Sequence, residues 1–573
     1  MSRADTVIRN GQLVSVTTRE VLRWEVAISD GRIAYIGPDA RQSLGTDTEI
    51  VDADGAYLVP GLISAHDHYE MTLMSAVPFA EAVLPQGTTA AIMDPHDIVN
   101  VLGMEGMRAL IDESRRTPLK AFFTVPPCVP PAPGLEDAGC EVRLEDVQQG
   151  LAFSPVLGIA EAMDFQRIIR RDPEMMRILD WVRERGLPVD GHCPEVRGAD
   201  LCQYIAPGPI RTDHESTSVD EQIEKVRQGM YVVVRRGSIE EPLSAAELVD
   251  RLDDTSSLLL AVDGCISVED MLAHGHMRYA VRQIITEGVD PLIAIQMATI
   301  NPARCYGLDH QIGVIAPGRS ADLLFVNDLR LFDVSRVMVD GRFLEPPLHF
   351  PRHPYPQHAL ATVNLTPVTA NDLLVRAPEG QVDGDVAVRV IGVHDGALVT
   401  EEIIARLPVR AGIVSGDPQQ DILKAAVFDR YGKGTRTVAF VRGFGLRDGA
   451  FAGSIGQDSQ NVVGVGACDA DLACAINEVI RMNGGVAVVR GDSERTTLPL
   501  PIAGIMTDAS PAELAQRRAA IATALWSLGC ALADPIFALS LAITLVVIPA
   551  LKMSNRGLVD VMRGAIVPLF AEQ

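Results

Sequence analysis

Residues 59–68 read Val59-Pro60-Gly61-Leu62-Ile63-Ser64-Ala65-His66-Asp67-His68. A short apolar run that follows Pro-Gly and ends in polar residues has the length and punctuation of a buried strand. In a strand, residues i and i+2 point to the same face. His66 and His68 therefore project together from the strand's C-terminal end. Imidazole nitrogens are good ligands for borderline divalent metals.

The surrounding sequence repeats this layout. From residue 60 to about 308, short apolar runs alternate with helical stretches, the texture of βαβα units and a parallel sheet. Strand candidates end at Ser64-Ala65, Ala91-Ile92-Met93, Ala121-Phe122-Phe123, residues 156–160, Leu187-Pro188-Val189, Arg211-Thr212, residues 231–234 and residues 258–262. Helical stretches cover residues 105–114, 173–185, 220–228 and 277–287. Eight strand–helix units in about 200–250 residues match an α/β fold of the (β/α)8 TIM type. Catalytic groups in such barrels come from the C-terminal ends of several strands. Here Glu161 follows the fourth strand, His192 the fifth, His214 the sixth and Asp263 the eighth. With His66 and His68, five strands end in metal-binding residue types.

Neighbouring residues join these candidates. Asp94 and His96 lie at the mouth of the second strand, where they could orient ligands or, through Asp97, cap the next helix. Arg235 and Arg236 follow the seventh strand, within reach of substrate or of Glu215. His274-Gly275-His276 is a second H-x-H that opens a helix.

Outside the barrel, residues 1–59 alternate apolar and polar at strand spacing, with turns at Asn10-Gly11 and Asp30-Gly31. Residues 311–345 return to short strands at 321–326 and 334–339, and read as the missing part of a composite β-sandwich. Residues 346–363 are a proline-rich linker in which His349, His353 and His358 read as surface residues. Residues 364–573 form an additional C-terminal α+β domain whose only histidine, His394, cannot by itself supply an imidazole-rich site. The apolar run 536–548, stopped by Pro549, is shorter than the ~18–20 residues needed to span a bilayer and reads as a buried strand or core helix.

Composition narrows the function. A chain of 573 residues is too long for one core. A formal net charge of −25 opposes nucleic-acid binding, which needs a basic face. It suits a soluble cytoplasmic enzyme with a small uncharged or cationic substrate. Nine dispersed cysteines read as reduced thiols. The first ten residues carry charges and no apolar run, so no secretory signal is expected.

Taken together, these segments resemble the amidohydrolase superfamily and, within it, the adenine deaminases. Pro60-Gly61-Leu62-Ile63 leading to His66 and His68 is similar to the family opening, with Glu70 as its following glutamate. Gly87-Thr88-Thr89, residues 94–101, Cys128-Val129-Pro130, Gly158-Ile159-Ala160-Glu161, residues 190–194, His214-Glu215-Ser216, Arg236-Gly237-Ser238, residues 318–322 and residues 498–504 match further blocks in order. The resemblance implies a pair of divalent metals, manganese, iron or zinc. His66, His68 and Asp263 would hold one, His192 and His214 the other, and Glu161 would bridge them.

The implied reaction is hydrolysis of adenine to hypoxanthine and ammonia. A water between two cations is available as hydroxide near neutral pH to attack carbon 6. Asp263 would carry its proton to the leaving amine, and Glu70 would protonate the adjacent ring nitrogen. Asp94, His96, Glu215, Arg236 and His276 would serve substrate or ligands, and the subunits would pair as homodimers.

The chain departs from the family pattern in places. Met71 and Thr72 replace two serines, Asp97 a glutamate, and Gly264 the second residue of an aspartate pair. Gln457-Asp458-Ser459-Gln460-Asn461 lacks both histidines of the family's C-terminal segment. These differences leave open an amidohydrolase acting on a modified purine, a pterin or a cyclic amide, or a non-catalytic metal-binding paralogue.

Overall fold

The computed structural model describes residues 3–491 and 493–571. Eight parallel strands run in chain order, β1 Leu62–Asp67, β2 Thr88–Met93, β3 Lys120–Val125, β4 Val156–Ala162, β5 Val189–Gly191, β6 Thr212–Asp213, β7 Tyr231–Arg235 and β8 Leu258–Ala261. Ladders join β1 to β5 and β6 to β8 as two arcs. At one seam Arg211 N–H donates to Val189 O at 2.8 Å. At the other, Gly264 N–H donates to Asp67 Oδ1 at 3.0 Å.

Every residue of β1, β2 and β8 is buried, as expected for a parallel sheet covered on both faces. Ile63, Ala65, Ala90, Ile92, Val233, Leu259 and Ala261 share one core with Tyr306, Leu308 and Ile312. Leu62, Ala91, Phe123, Ile159, Val232 and Leu258 pack in a second core with the surrounding helices. The helix Pro173–Arg183 shows why these segments start where they do. Pro173 stands at its first turn, where no N–H is needed, and Asp172 caps it by accepting from Glu174 and Met175 N–H.

Strands from both sides of the barrel sequence build the accessory β layer. Tyr57–Pro60 pairs antiparallel with Leu323–Val326 and parallel with Gln12–Ser15 in a six-stranded sheet. A four-stranded sheet holds Thr6–Arg9, Glu25–Ser29, Arg32–Gly37 and Glu49–Asp52. The proline-rich segment after residue 345 is tied to the barrel, since Arg352 pairs with Glu81 at 2.7 Å.

The C-terminal residues form a ten-stranded mixed sheet, with the helix Asp469–Met482 packed on it. The apolar run at 536–548 is no strand. A short helix, Pro535–Phe537, passes into a π-helix, Ala538–Ala542, and the run is buried throughout. Leu541 and Leu545 reach the mouth of the barrel. Among the described residues no helix is long and apolar enough to cross a membrane. All nine cysteines are free of disulfides.

Candidate metal centre

The ladder between β1 and β2 breaks register between Ser64 and Asp67. Such irregularities re-aim side chains near active sites. Beyond the break, His66 and His68 bring their Nε2 atoms within 2.9 Å of each other. Asp67, between them, turns the other way, with Oδ2 3.0 Å from His276 Nε2.

Glu161, from β4, stands at the centre. Its Oε1 lies 3.0 Å from His66 Nε2 and 3.4 Å from His68 Nε2. Its Oε2 lies 2.7 Å from His192 Nδ1 and 3.3 Å from His214 Nε2. Asp263 Oδ1 is 3.1 Å from His68 Nε2 and 3.4 Å from His66 Nε2. All six side chains are buried. The donor set fits divalent metal: four imidazoles and two carboxylates converge, and His192 Nε2 is buried with no hydrogen-bond partner.

Burial raises the Glu161 and Asp263 carboxyls. The charges of His214 and His66 outweigh it for both, helped by hydrogen bonds from His192 to Glu161 and from His68 to Asp263, and hold both groups well below the usual carboxylate range. Burial lowers His214, but Glu161 and Asp263 together lift it to about 9. Asp263 also sits at φ +57°, a conformation that costs a non-glycine residue energy and is concentrated at functional sites.

Supporting residues fix these ligands. Asp94 Oδ2 accepts from Glu161 N–H at 3.3 Å, and Asp94 O receives His68 Nδ1 at 2.8 Å. His96 Nδ1 lies 3.8 Å from Glu161, and His96 Nε2 lies 3.3 Å from Asp97 and 3.4 Å from Asp458. Beneath the fifth and sixth strands, buried Lys225 bonds Asp213 Oδ2 at 2.7 Å, Glu221 Oε1 at 2.7 Å and Cys193 O at 2.9 Å. It thereby clamps the turns that carry His192 and His214.

Two expected residues stand outside the six-residue cluster itself. Arg236 pairs with Glu287 and the carbonyls of Arg235 and Leu243 rather than with Glu215, and lines a cavity together with His214, Glu215 and Arg235. Consecutive strand residues face opposite ways, so Arg235 takes the inward position. It contacts Glu215, Asp263 Oδ2 at 3.0 Å and Glu240 Oε2 at 3.1 Å. His276 is fully buried behind Asp67, beside Thr88 and the Phe79 ring, and lines no cavity around the cluster. It holds Asp67, which the sequence reading had not singled out. Glu240 was also unforeseen. Burial lifts it to about 7 against the pull of Arg235.

Glu70 is buried and borders the apolar cavity next to the cluster. One oxygen accepts from Ile98 N–H at 3.2 Å, and the other has no partner. Burial, and after it the charge of Asp97, lifts Glu70 to about 7.

The departures from the family pattern also acquire a physical reading. Asp97 lies in the first turn of the helix His96–Leu102 but is no surface cap. It receives Gln457 Nε2 at 3.1 Å and Gln460 Nε2 at 2.5 Å. Departures in two distant parts of the sequence, Asp97 and the Gln457/Gln460 pair, thus meet in one buried contact between barrel and C-terminal sheet. Gly264 has φ +61°, and a Cβ there would lie 2.5 Å from Met71 Cβ. An aspartate fits here only if Met71 gives way.

Comparison with known proteins agrees with this architecture. Residues 57–344 match the amidohydrolase family model, and residues 397–565 match the adenine deaminase C-terminal domain. The adenine deaminase of Moorella thermoacetica is 40% identical, over 99% of this chain and 96% of its own. That of Archaeoglobus fulgidus is 39% identical, over 100% of this chain and 96% of its own. Among solved structures, the β-aspartyl dipeptidase of Fervidobacterium islandicum AW-1 covers 61% of this chain and 98% of its own, at 18% identity and a TM-score of 0.46. By its identity to these relatives over nearly its whole length, the chain belongs to the adenine deaminase family of amidohydrolases.

Proposed function

We propose that this protein hydrolyses adenine to hypoxanthine and ammonia at a centre of two divalent cations, manganese, iron or zinc. The observation that carries the reading is the division of labour within Glu161. One oxygen faces the His66 and His68 pair, and the other faces His192 and His214. His66, His68 and Asp263 would hold one ion, His192 and His214 the second, with Glu161 between them. When bound, such ions supply Lewis acidity and lower the pKa of water at the site.

The protein's own side chains would manage the protons. Deamination moves a proton from the attacking water to the departing amine. Asp263 is fitted to carry it, because Oδ1 faces the cluster while Oδ2 is held by Arg235. Glu70 would serve the ring nitrogen beside carbon 6 through its unpartnered oxygen, at the edge of the cavity that adjoins the cluster. Leu541, Leu545 and Met163 close the centre with apolar surface. Excluding water in this way strengthens every charge interaction inside. A cytoplasmic homodimer belongs to the same proposal, and the surplus of negative charge supports solubility.

The test is ammonia release from adenine, methylated adenines, pterins and cyclic amides, with metal analysis of the same protein. His192→Ala should abolish turnover and lower bound metal while far-UV circular dichroism stays unchanged. Full activity in that variant would sink the site assignment. Turnover of another substrate class without adenine would sink the substrate.

A further inference from the structure

The contact between Asp97 and the C-terminal sheet fixes more than a domain boundary. Asp97 is a carboxylate and only accepts hydrogen bonds, so the Gln457 carboxamide must turn its NH2 toward it. Gln457 N–H is itself committed to Ser540 O at 2.9 Å. With both the backbone and the NH2 pinned, Oε1 faces the opposite way. That oxygen is buried and has no hydrogen-bond partner. Gln457 borders the cavity at the metal cluster and also the adjoining apolar cavity walled by Met71, Ile266, Ile455, Phe537 and Leu541. A fixed acceptor without a donor therefore stands where the two spaces meet. Buried acceptors are costly when unpaired, and a ligand that brings a donor removes the cost.

Adenine with carbon 6 at the cluster has few donors left. Its amine is the leaving group, and N1 and N3 only accept. The remaining donor is the N–H of the five-membered ring, on N9 or N7 according to tautomer. Resting on the function proposed above, we infer that Gln457 Oε1 accepts this ring N–H and thereby selects the free base against nucleosides and ring-N-alkylated purines. Buried Ile536, Phe537, Ser540 and Leu541 wall the apolar cavity beside Gln457, where a ring substituent such as a sugar would have to pass. Gln457 is thus a substrate-reading residue contributed by the C-terminal sheet to a barrel active site.

The experiment compares kcat and KM for adenine, 7-methyladenine and 9-methyladenine. The wild type should prefer adenine by at least about 100-fold in kcat/KM, since sites built to pair with a polar group reject analogues that lack it. Gln457→Met and the roomier Gln457→Ala should lose about 10- to 100-fold on adenine, mostly through KM. They should leave the methylated bases nearly unchanged, so the preference collapses. Gln460→Met removes the other amide from Asp97 and should keep the preference, which separates reading the base from supporting Asp97.

Equal use of adenine and 9-methyladenine by the wild type would overturn the inference without any variant. So would a preference that survives in both Gln457 variants. Absence of adenine turnover in the metal-loaded wild type would instead overturn the proposed function, and this inference with it.

Discussion

Replacing Arg235 by methionine removes the guanidinium that pairs with Glu215, Glu240 and Asp263 together. At about 3 Å and an effective dielectric near 20, each contact is about 5 kcal/mol of gross attraction. Most of this is offset by the cost of burying the ions. The expected loss is therefore not the sum. It is the penalty for leaving buried carboxylates without their cation, about 3–5 kcal/mol.

For a unit of barrel size this corresponds to a drop of about 6–20 °C in the melting temperature of the barrel transition. Scanning calorimetry of wild type and variant at several pH values measures it. The sign with pH follows from linkage. Burial already lifts Glu240 to about 7 against the pull of Arg235, so without that cation it titrates higher still in the folded state, well above its value in the unfolded chain. The unfolded chain then binds fewer protons, and the variant's stability falls as pH rises. The gap to wild type should stay level below about pH 7 and widen above it, where wild-type Glu240 ionises and the variant's does not. Melting temperatures within about 2 °C of wild type at every pH, or a gap that narrows as pH rises, would refute the reasoning. Turnover should fall as well, because Asp263 Oδ2 loses the contact that orients it.

Three further outcomes follow from the same geometry. Burial, then the charge of Asp458, lifts Glu136 from 4.5 to about 8, so folded-state stability should decline as pH rises between those values. Glu136→Gln should abolish that decline and gain up to about 5 kcal/mol at pH 8.5, read as a melting-temperature difference absent at pH 4.5. A pH-independent difference counts against it. Gly264→Asp, which restores the family residue, should cost about 1–2 kcal/mol for the left-handed backbone and about 1–3 more for crowding Met71. A variant as stable and active as wild type would mean that the loop relaxes freely. Chelation of divalent cations should lower the melting temperature and stop ammonia release, with both restored by manganese. A melting temperature indifferent to chelator would argue that the cluster holds no ion.

What could be read from the sequence was local. Most of the eight strands are marked by apolar runs of strand length, since burial on both faces demands them, and each observed strand overlaps its expected position, including the short polar sixth strand, Thr212–Asp213. The ligand candidates were visible for the same reason. In a parallel barrel every strand's C-terminal end faces one rim, so His66, His68, Glu161, His192, His214 and Asp263 could be gathered from strand ends alone. The composite β layer was equally legible, since short alternating strands on both sides of the barrel sequence had no other partners.

The tertiary structure decided what depends on pairs distant in sequence. Nothing near Asp97 announces Gln457 and Gln460, which lie 360 and 363 residues away. The choice of Arg235 over Arg236 as the inward cation turned on strand phase at the end of β7, where a shift of one residue reverses the face. The apolar run at 536–548 has a composition that suits strand or helix equally. It became a buried π-helical turn because it packs over the barrel mouth, with Ser540 O accepting from Gln457 N–H. Periodicity and residue type are properties of neighbours along the chain, whereas the partner of a buried charge or amide is set by whichever surface the fold brings against it.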